Sequence, residues 1–127
     1  MILEGDVAQL YAGALEAIAR VDGEVTPEES TRMRDLIGKR TQAVIDYEAL
    51  FFEKTTPDKL AGKVPAADRR MVGRALAADA VGLATADGDL NGAEAQASMR
   101  FLRALGCTPA DVAAETNQLN EWLHVLG

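Results

Sequence analysis

Residues 19–29 read ARVDGEVTPEE, and residues 84–94, lying 65 positions further on, read ATADGDLNGAE. Each stretch leads from an alanine-rich apolar segment into Asp-Gly, a second acid, an aliphatic residue, a helix-capping residue and a Glu seven positions after the first Asp. Repetition at a fixed offset indicates two related structural units. The sequence therefore predicts two helix-loop-helix halves, over about residues 3–40 and 68–106.

Helix signals surround both stretches. Apolar residues at helical spacing predict a first helix, namely Leu3, Val7, Leu10, Ala14, Ile18 and Val21, which ends at Asp22-Gly23. Thr26 is the predicted N-cap of a second helix, Pro27 takes its first position and Glu29 completes a capping box. Thr-Pro pairs at Thr56 and Thr108 predict two further helix starts.

The remaining chain also favours helices. The second helix is predicted to bury Met33, Leu36 and Ile37, and Gly38 with the polar residues 39–41 predicts a break or bend. A third helix is predicted to use Val44, Tyr47 and Phe51. Residues 55–63 are expected to form a short turn at most. Pro65 is predicted to open a long fifth helix through Met71, Val72, Leu76, Leu83 and Ala86, a sixth runs from Gly92 to Gly106, and a seventh follows Thr108. The fold class is all-α: a single domain over residues 1–127, with about seven helices and halves related by a pseudo-twofold axis.

Composition supports this fold class and limits the functions. Hydrophobic residues make up 48% of the chain but aromatic residues only 5%, which suits closely packed helices. The net charge of −7 disfavours nucleic acid and anionic membrane surfaces as partners. Cys107 is the single cysteine, so no intrachain disulfide forms. With an acidic N-terminal segment and no apolar run of about 18 residues, we expect a cytoplasmic protein without signal peptide or membrane insertion.

The acidic turns allow two interpretations. In the first, every conspicuous residue serves a helix end: Gly23 and Gly88 turn the chain, Thr26 and Asn91 cap the next helix, and Glu29 and Glu94 bond back to the cap. In the second, the turns contain four acids that capping does not require, namely Asp22, Glu24, Asp87 and Asp89. Carboxylates crowded together repel one another, and a bound cation relieves that repulsion. Oxygen ligands suit Ca²⁺, Mg²⁺ or Mn²⁺. The predicted metal ligands are Asp22, Glu24, Glu29, Asp87, Asp89 and Glu94.

The second turn can be compared with an EF-hand calcium loop. Asp87, Asp89, Asn91 and Gly92 match its first six positions. The twelfth position, where a bidentate Glu belongs, is Ser98, and Glu94 stands at the eighth. The comparison therefore predicts no EF-hand, and leaves a smaller, water-completed site of Asp87, Asp89 and Glu94.

The doubled turn, with the following amphipathic helix to Leu105-Gly106 and then Thr108-Pro109-Ala110-Asp111, resembles the tellurite-resistance TerB-like family over about residues 7–115. The resemblance implies a helical domain with pseudo-symmetric halves and acidic clusters that bind a divalent metal. It also implies a role in tellurite resistance or stress response, alongside membrane-associated and metal-binding partner proteins. The family's acidic positions fall on the six predicted ligands.

Other residues offer no catalytic apparatus. The chain has one His and one Cys, with no nucleophile or phosphate-loop motif, so we predict no enzyme. Asp79 shares helical phase with Leu76 and Leu83, which predicts a buried carboxylate with a polar partner. Trp122 belongs to an apolar stripe that closes the core or binds a partner.

These observations lead to one functional hypothesis and one alternative. The hypothesis is a non-enzymatic sensing module, in which a divalent cation tightens an acidic turn and so sets the surface shown to a protein partner. The alternative is a structural protein-interaction domain that binds no metal, with acids that only cap helices.

Overall fold

A computed structural model describes residues 2–21, 23, 25–52, 54–84, 92–108 and 111. Six α-helices occupy these ranges: α1 (Gly5–Arg20), α2 (Pro27–Arg40), α3 (Ala49–Phe52), α4 (Pro57–Lys63), α5 (Arg69–Ala84) and α6 (Gly92–Ala104). A 3₁₀ turn over Ala66–Asp68 leads into α5. An isolated β-bridge joins Leu3 to Thr41.

The all-α fold class is confirmed, while the helix count differs from the prediction. Within the described ranges, five helices have more than one turn, and α3 is a single turn. The prediction of about seven helices is therefore too high for this part of the chain. The predicted seventh helix and the Trp122 stripe lie outside the described residues. None of the described helices has both the length and the apolar character that spanning a bilayer would take.

Capping bonds form at Thr26, Thr56 and Thr108, where the Thr-Pro pairs predict them. The Thr26 and Thr56 hydroxyls accept from the backbone N–H groups of Glu29 and Lys59, at 3.1 and 3.3 Å. At Thr108 the side chain accepts from the Asp111 N–H at 3.3 Å, and the Asp111 carboxylate accepts from the Thr108 N–H at 2.8 Å. Each cap satisfies a backbone donor that has no partner within its own helix.

Helix α1 lies at the centre and packs against α2, α4, α5 and α6. Its buried residues alternate small and large side chains, including Ala8, Tyr11, Ala12, Leu15, Ile18 and Ala19. Small side chains let the neighbouring backbones approach closely. At Gly13 a Cβ atom would lie only 1.9 Å from the Thr55 hydroxyl oxygen, so this position tolerates no larger residue without a shift of the backbone.

Contacts between the two predicted halves are reciprocal. Helix α2 of the first half packs on α5 of the second, α6 of the second packs on α1 of the first, and α1 packs directly on α5. Two related units would give this pattern. The internal repeat and its pseudo-twofold axis stay predictions.

Two predicted elements differ from the structure. Helix α2 continues through Gly38 to Arg40. The third helix shrinks to Ala49–Phe52, and Val44, predicted to face inward, is 99% exposed. The physical reason is a pair of bonds that holds this segment against α1 as a loop: the Gln9 side chain donates to the Asp46 carbonyl at 3.0 Å and accepts from its N–H at 2.9 Å.

The predictions for α4 and α5 also need correction. Residues 57–63 form a complete helix with Leu60 and Ala61 buried. The sequence predicts no more than a short helical turn here. Met71 is 49% exposed rather than inward. Val72 and Leu76 lie on the buried face of α5. Met71 precedes Val72 and is therefore rotated about 100° around the helix, away from that face.

Candidate functional site at the acidic turns

The first acidic turn joins α1 to α2. At the end of α1, the Val21 N–H donates to the Ile18 carbonyl at 3.4 Å and the Gly23 N–H to the Arg20 carbonyl at 3.0 Å. Gly23 has φ of 130°, a conformation that residues with a Cβ atom rarely adopt. The predicted role of Gly23 at this corner is therefore confirmed.

The start of α2 is a complete capping box. The Thr26 hydroxyl accepts from the Glu29 N–H at 3.1 Å, and Glu29 Oε1 accepts from the Thr26 N–H at 3.2 Å. Pro27 occupies the first position, where a missing N–H has no cost. The capping role predicted for Glu29 is thus observed, and this carboxylate already serves the helix end.

At the second turn the structure describes the chain from Gly92 onward. Glu94 lies in the first turn of α6 and is only 9% exposed. The buried Ser98 hydroxyl donates to the Glu94 carbonyl at 2.8 Å. Ser98 therefore bonds within its own helix.

Of the six predicted metal ligands, the structure describes Glu29 and Glu94. The other four, Asp22, Glu24, Asp87 and Asp89, lie outside the described residues, as does His124. In the described portion of the chain, no group of three or more His, Cys, Asp or Glu side chains is close enough to hold a metal ion. The assembly of the six acids around an ion therefore stays a prediction.

Two clefts that the sequence did not predict flank the end of α1. Both contain the ion pair in which Arg20 Nε donates to Glu16 Oε1. Cleft 1, of about 330 Å³, lies between α1 and α2, and cleft 2, of about 450 Å³, lies between α1, residues 54–57 and α6. Cleft 1 is lined by Glu16, Arg20, Val25, Ser30, Met33, Arg34, Tyr47 and Leu50. Cleft 2 is lined by Glu16, Ala17, Arg20, Val21, Lys54, Thr55, Thr56, Pro57, Ala97, Arg100 and Phe101.

A sequence signal for these clefts did exist. Glu16 is the single charged residue between Asp6 and Arg20, on a helix that is otherwise largely apolar. Its spacing of four from Arg20 places the two side chains together on one helix face. The same reasoning that identified Asp79 would have identified Glu16 as a buried carboxylate with a partner.

Cys107 is a free cysteine and is half-buried. Burial, followed by the negative charge of Asp111, raises the pKa of the Cys107 thiol to about 11. The thiol also lies against the backbone, with Sγ 3.8 Å from the Arg70 carbonyl. At neutral pH it is therefore protonated and a poor nucleophile.

Comparison with known proteins identifies a family. The model of a family described as "Tellurite resistance protein TerB" matches residues 9–118. The match includes both acidic turns and both clefts. No curated protein matches the chain, and no solved structure matches it.

Proposed function

Because the chain belongs to the TerB family of tellurite-resistance proteins, we propose that it is a non-enzymatic binding and sensing module of the cytoplasm. The family resemblance drawn from the doubled turn is confirmed by this match. The proposed role is to present a surface to a protein partner during tellurite or related stress, in the company of membrane-associated or metal-binding stress proteins. Because burial raises the pKa of the Cys107 thiol to about 11, the proposal assigns this side chain no nucleophilic role.

We further propose that a divalent cation, Ca²⁺, Mg²⁺ or Mn²⁺, binds at one or both acidic turns. The observation that carries this proposal is the completeness of the helix ends at the first turn. Gly23 completes the end of α1, and Thr26 with Glu29 completes the start of α2. Capping therefore accounts for Glu29 and gives no reason for the charges of Asp22 and Glu24.

The donor set fits a hard cation. All six predicted ligands are carboxylates, the oxygen donors that these ions prefer. An ionised carboxylate has about four lone-pair sites, and the cap occupies one at Glu29 Oε1. When bound, the ion would supply positive charge that offsets repulsion among Asp22, Glu24 and Glu29. Asp87, Asp89 and Glu94 would form the second site.

The proposed link from cation to partner runs through cleft 1. Glu16 and Arg20 line it from α1, and Met33 and Arg34 line it from α2. A tightened turn between these helices would restrict their relative motion and so keep the cleft in one shape. The cation would act as a sensor signal because it favours the shape that binds the partner.

The alternative function is a structural interaction domain that binds no metal. The completed capping box is equally compatible with it, because Glu29 has a structural role in the box that needs no ligand. The two functions agree on a protein partner and differ on whether the turns bind an ion.

Calorimetric titration of chelator-treated protein with Ca²⁺, Mg²⁺ and Mn²⁺ separates them. We expect one of these ions to bind with Kd below about 1 mM, and the combined change Asp87→Asn and Glu94→Gln to remove the site at the second turn. Absence of heat with all three ions, together with an unchanged melting temperature, would support the capping-only alternative.

Two variants at the first turn provide a matched control. Glu29→Gln preserves the capping box, since Gln serves equally at this position, and removes one ligand charge. We expect it to weaken ion binding at the first turn without loss of stability in the absence of ions. Thr26→Ala removes the cap and no ligand charge. We expect it to lower the free energy of unfolding by about 1 kcal/mol and to leave the ion affinity unchanged.

A further inference from the structure

Cleft 2 concentrates positive charge on an acidic protein. Among the residues that the structure describes, Arg20, Lys54 and Arg100 line it together with one acid, Glu16, which is paired with Arg20. Lys54 and Arg100 are both exposed, so these described residues present two more cationic than anionic groups. The chain as a whole has a net charge of −7. This local reversal of sign favours an anionic ligand, because concave sites focus the field of the charges around them.

The floor of cleft 2 is apolar. Ala17 of α1, Ala97 and Phe101 of α6, and Pro57 at the start of α4 contribute to it. Phe101 is 4% exposed and belongs to the main core, so packing holds this part of the floor in place. A volume of about 450 Å³ falls within the ~300–1,000 Å³ common for ligand clefts. The shape and charge together suit a ligand with carboxylates beside an aliphatic group.

We propose that cleft 2 binds an extended acidic peptide segment of a partner protein. Its carboxylates pair with Lys54 and Arg100, and an aliphatic side chain packs between Pro57 and Phe101. The argument for a peptide is charge complementarity combined with the apolar floor. A nucleic-acid backbone would meet the same cations, but it would also meet the repulsion of the whole acidic molecule. This inference rests on the proposed partner-binding function and is independent of the proposed cation.

Fluorescence anisotropy with a rhodamine-labelled hexapeptide that alternates glutamate and leucine tests the proposal. Lys54→Glu combined with Arg100→Glu reverses both cleft charges. The control combines Lys39→Glu with Lys63→Glu, which makes the same change of net charge at exposed sites outside the cleft. We expect the wild type and the control to bind alike, and the cleft variant to bind at least about tenfold more weakly.

Salt and competing ligands complete the test. Binding should weaken as salt rises from 0.15 to 1 M, because the Debye length falls from about 8 to about 3 Å. A peptide with lysine in place of glutamate should not bind.

The proposal is overturned if the acidic peptide binds no more tightly than about 1 mM, if the control loses as much affinity as the cleft variant, or if a short oligonucleotide binds more tightly than the peptide. Ion binding measured by calorimetry is a separate readout, so failure here leaves the cation proposal standing.

Discussion

At the scale of single residues, the most constrained group is Asp79. It is 4% exposed on α5, and its carboxylate accepts from Arg40 twice, from Nε at 2.9 Å and from Nη2 at 3.1 Å. The Tyr11 hydroxyl donates to the same carboxylate. Burial, followed by the negative charge of Asp79, raises the pKa of Tyr11 well above its usual value. One carboxylate thus joins α1, α2 and α5 through fully paired polar groups.

Removal of this carboxylate should be costly. We expect Asp79→Ala to lower the free energy of unfolding by about 3 kcal/mol, because it leaves the Arg40 charge and the Tyr11 hydroxyl without their acceptor. The double change Asp79→Leu with Arg40→Met should cost less than the single change, because no unpaired charge remains. Urea unfolding at pH 7 measures both. The control is Asp35→Ala, which removes an exposed carboxylate of α2 and should change the free energy of unfolding by no more than about 0.5 kcal/mol. An equal loss of stability in Asp79→Ala and Asp35→Ala would contradict the account.

Cys107 allows a prediction about pH. Its pKa is raised from the ordinary 9.0 to about 11, so the reactive thiolate stays scarce over the neutral range. We expect the rate of alkylation by iodoacetamide to rise about tenfold per pH unit from pH 7 to pH 10 without levelling off. The same protein in urea should level off near pH 9, as an exposed thiol does. A plateau at pH 9 in the folded protein would show that the thiol is exposed.

At the scale of elements, the close packing of α1 against residue 55 depends on a glycine, Gly13, at the point of contact. A Cβ atom at Gly13 would meet Thr55 Oγ1 at 1.9 Å and Thr55 Cβ at 2.9 Å, and the second of these is too close to the backbone to move freely. Gly38 of α2, by contrast, has nothing within 4 Å of its Cβ position. The two glycines lie in helices of similar length but differ in their surroundings.

Alanine substitution should therefore act in opposite directions at the two positions. We expect Gly13→Ala to destabilise the fold by about 1–3 kcal/mol through overpacking. Gly38→Ala should stabilise it by about 0.4–1 kcal/mol, because alanine restricts the unfolded chain and favours the helix. Thermal unfolding followed by circular dichroism measures both changes. Equal shifts of melting temperature would mean that α1 does not approach residue 55 as closely as described.

The sequence predicts a helix well where residues close in the chain determine it. It predicts less well where contacts between distant residues determine whether a segment is helical. The caps at Thr26, Thr56 and Thr108 follow from residue chemistry within four positions, and all three form. Residues 57–63 span too few turns to show a helical period, so the helix was underestimated. The exposure of Val44 depends on Gln9, which is 37 positions away from Asp46 and not visible as a partner in the sequence.

At the scale of the whole molecule, the repeated turn identified the fold class and the family, but only part of the site. Asp79 was predictable because a lone charge within an apolar face requires a partner, and the structure supplies Arg40 and Tyr11. Cleft 2 was not predictable, because Lys54, Arg100 and Arg20 come from three separate segments. Residues that distant in sequence come together only through the packing of α1 against α4 and α6.

At this scale the proposals involve two sites of opposite charge. The acidic turns contain the predicted cation ligands in the sequence, and cleft 2, lined by Val21 just after the end of α1, contains the cationic side chains that we propose bind an acidic partner. A cation at the first turn and a peptide in cleft 2 would both contact the end of α1, near Arg20 and Val21. We therefore expect that the two ligands influence each other's affinity by the same factor, as linkage requires.

The proposed cation site is tested most directly by NMR with Mn²⁺, a paramagnetic ion that broadens the signals of nearby nuclei. Amide spectra of ¹⁵N-labelled protein should show that substoichiometric Mn²⁺ broadens Gly23, Val25 and Thr26, or Gly92, Ala93 and Glu94, before any residue of α4. Mg²⁺ or Ca²⁺ in excess should restore those signals by displacement. Spectra that stay unchanged at millimolar Mn²⁺, or broadening that centres on exposed acids elsewhere such as Asp35, would contradict the proposed site.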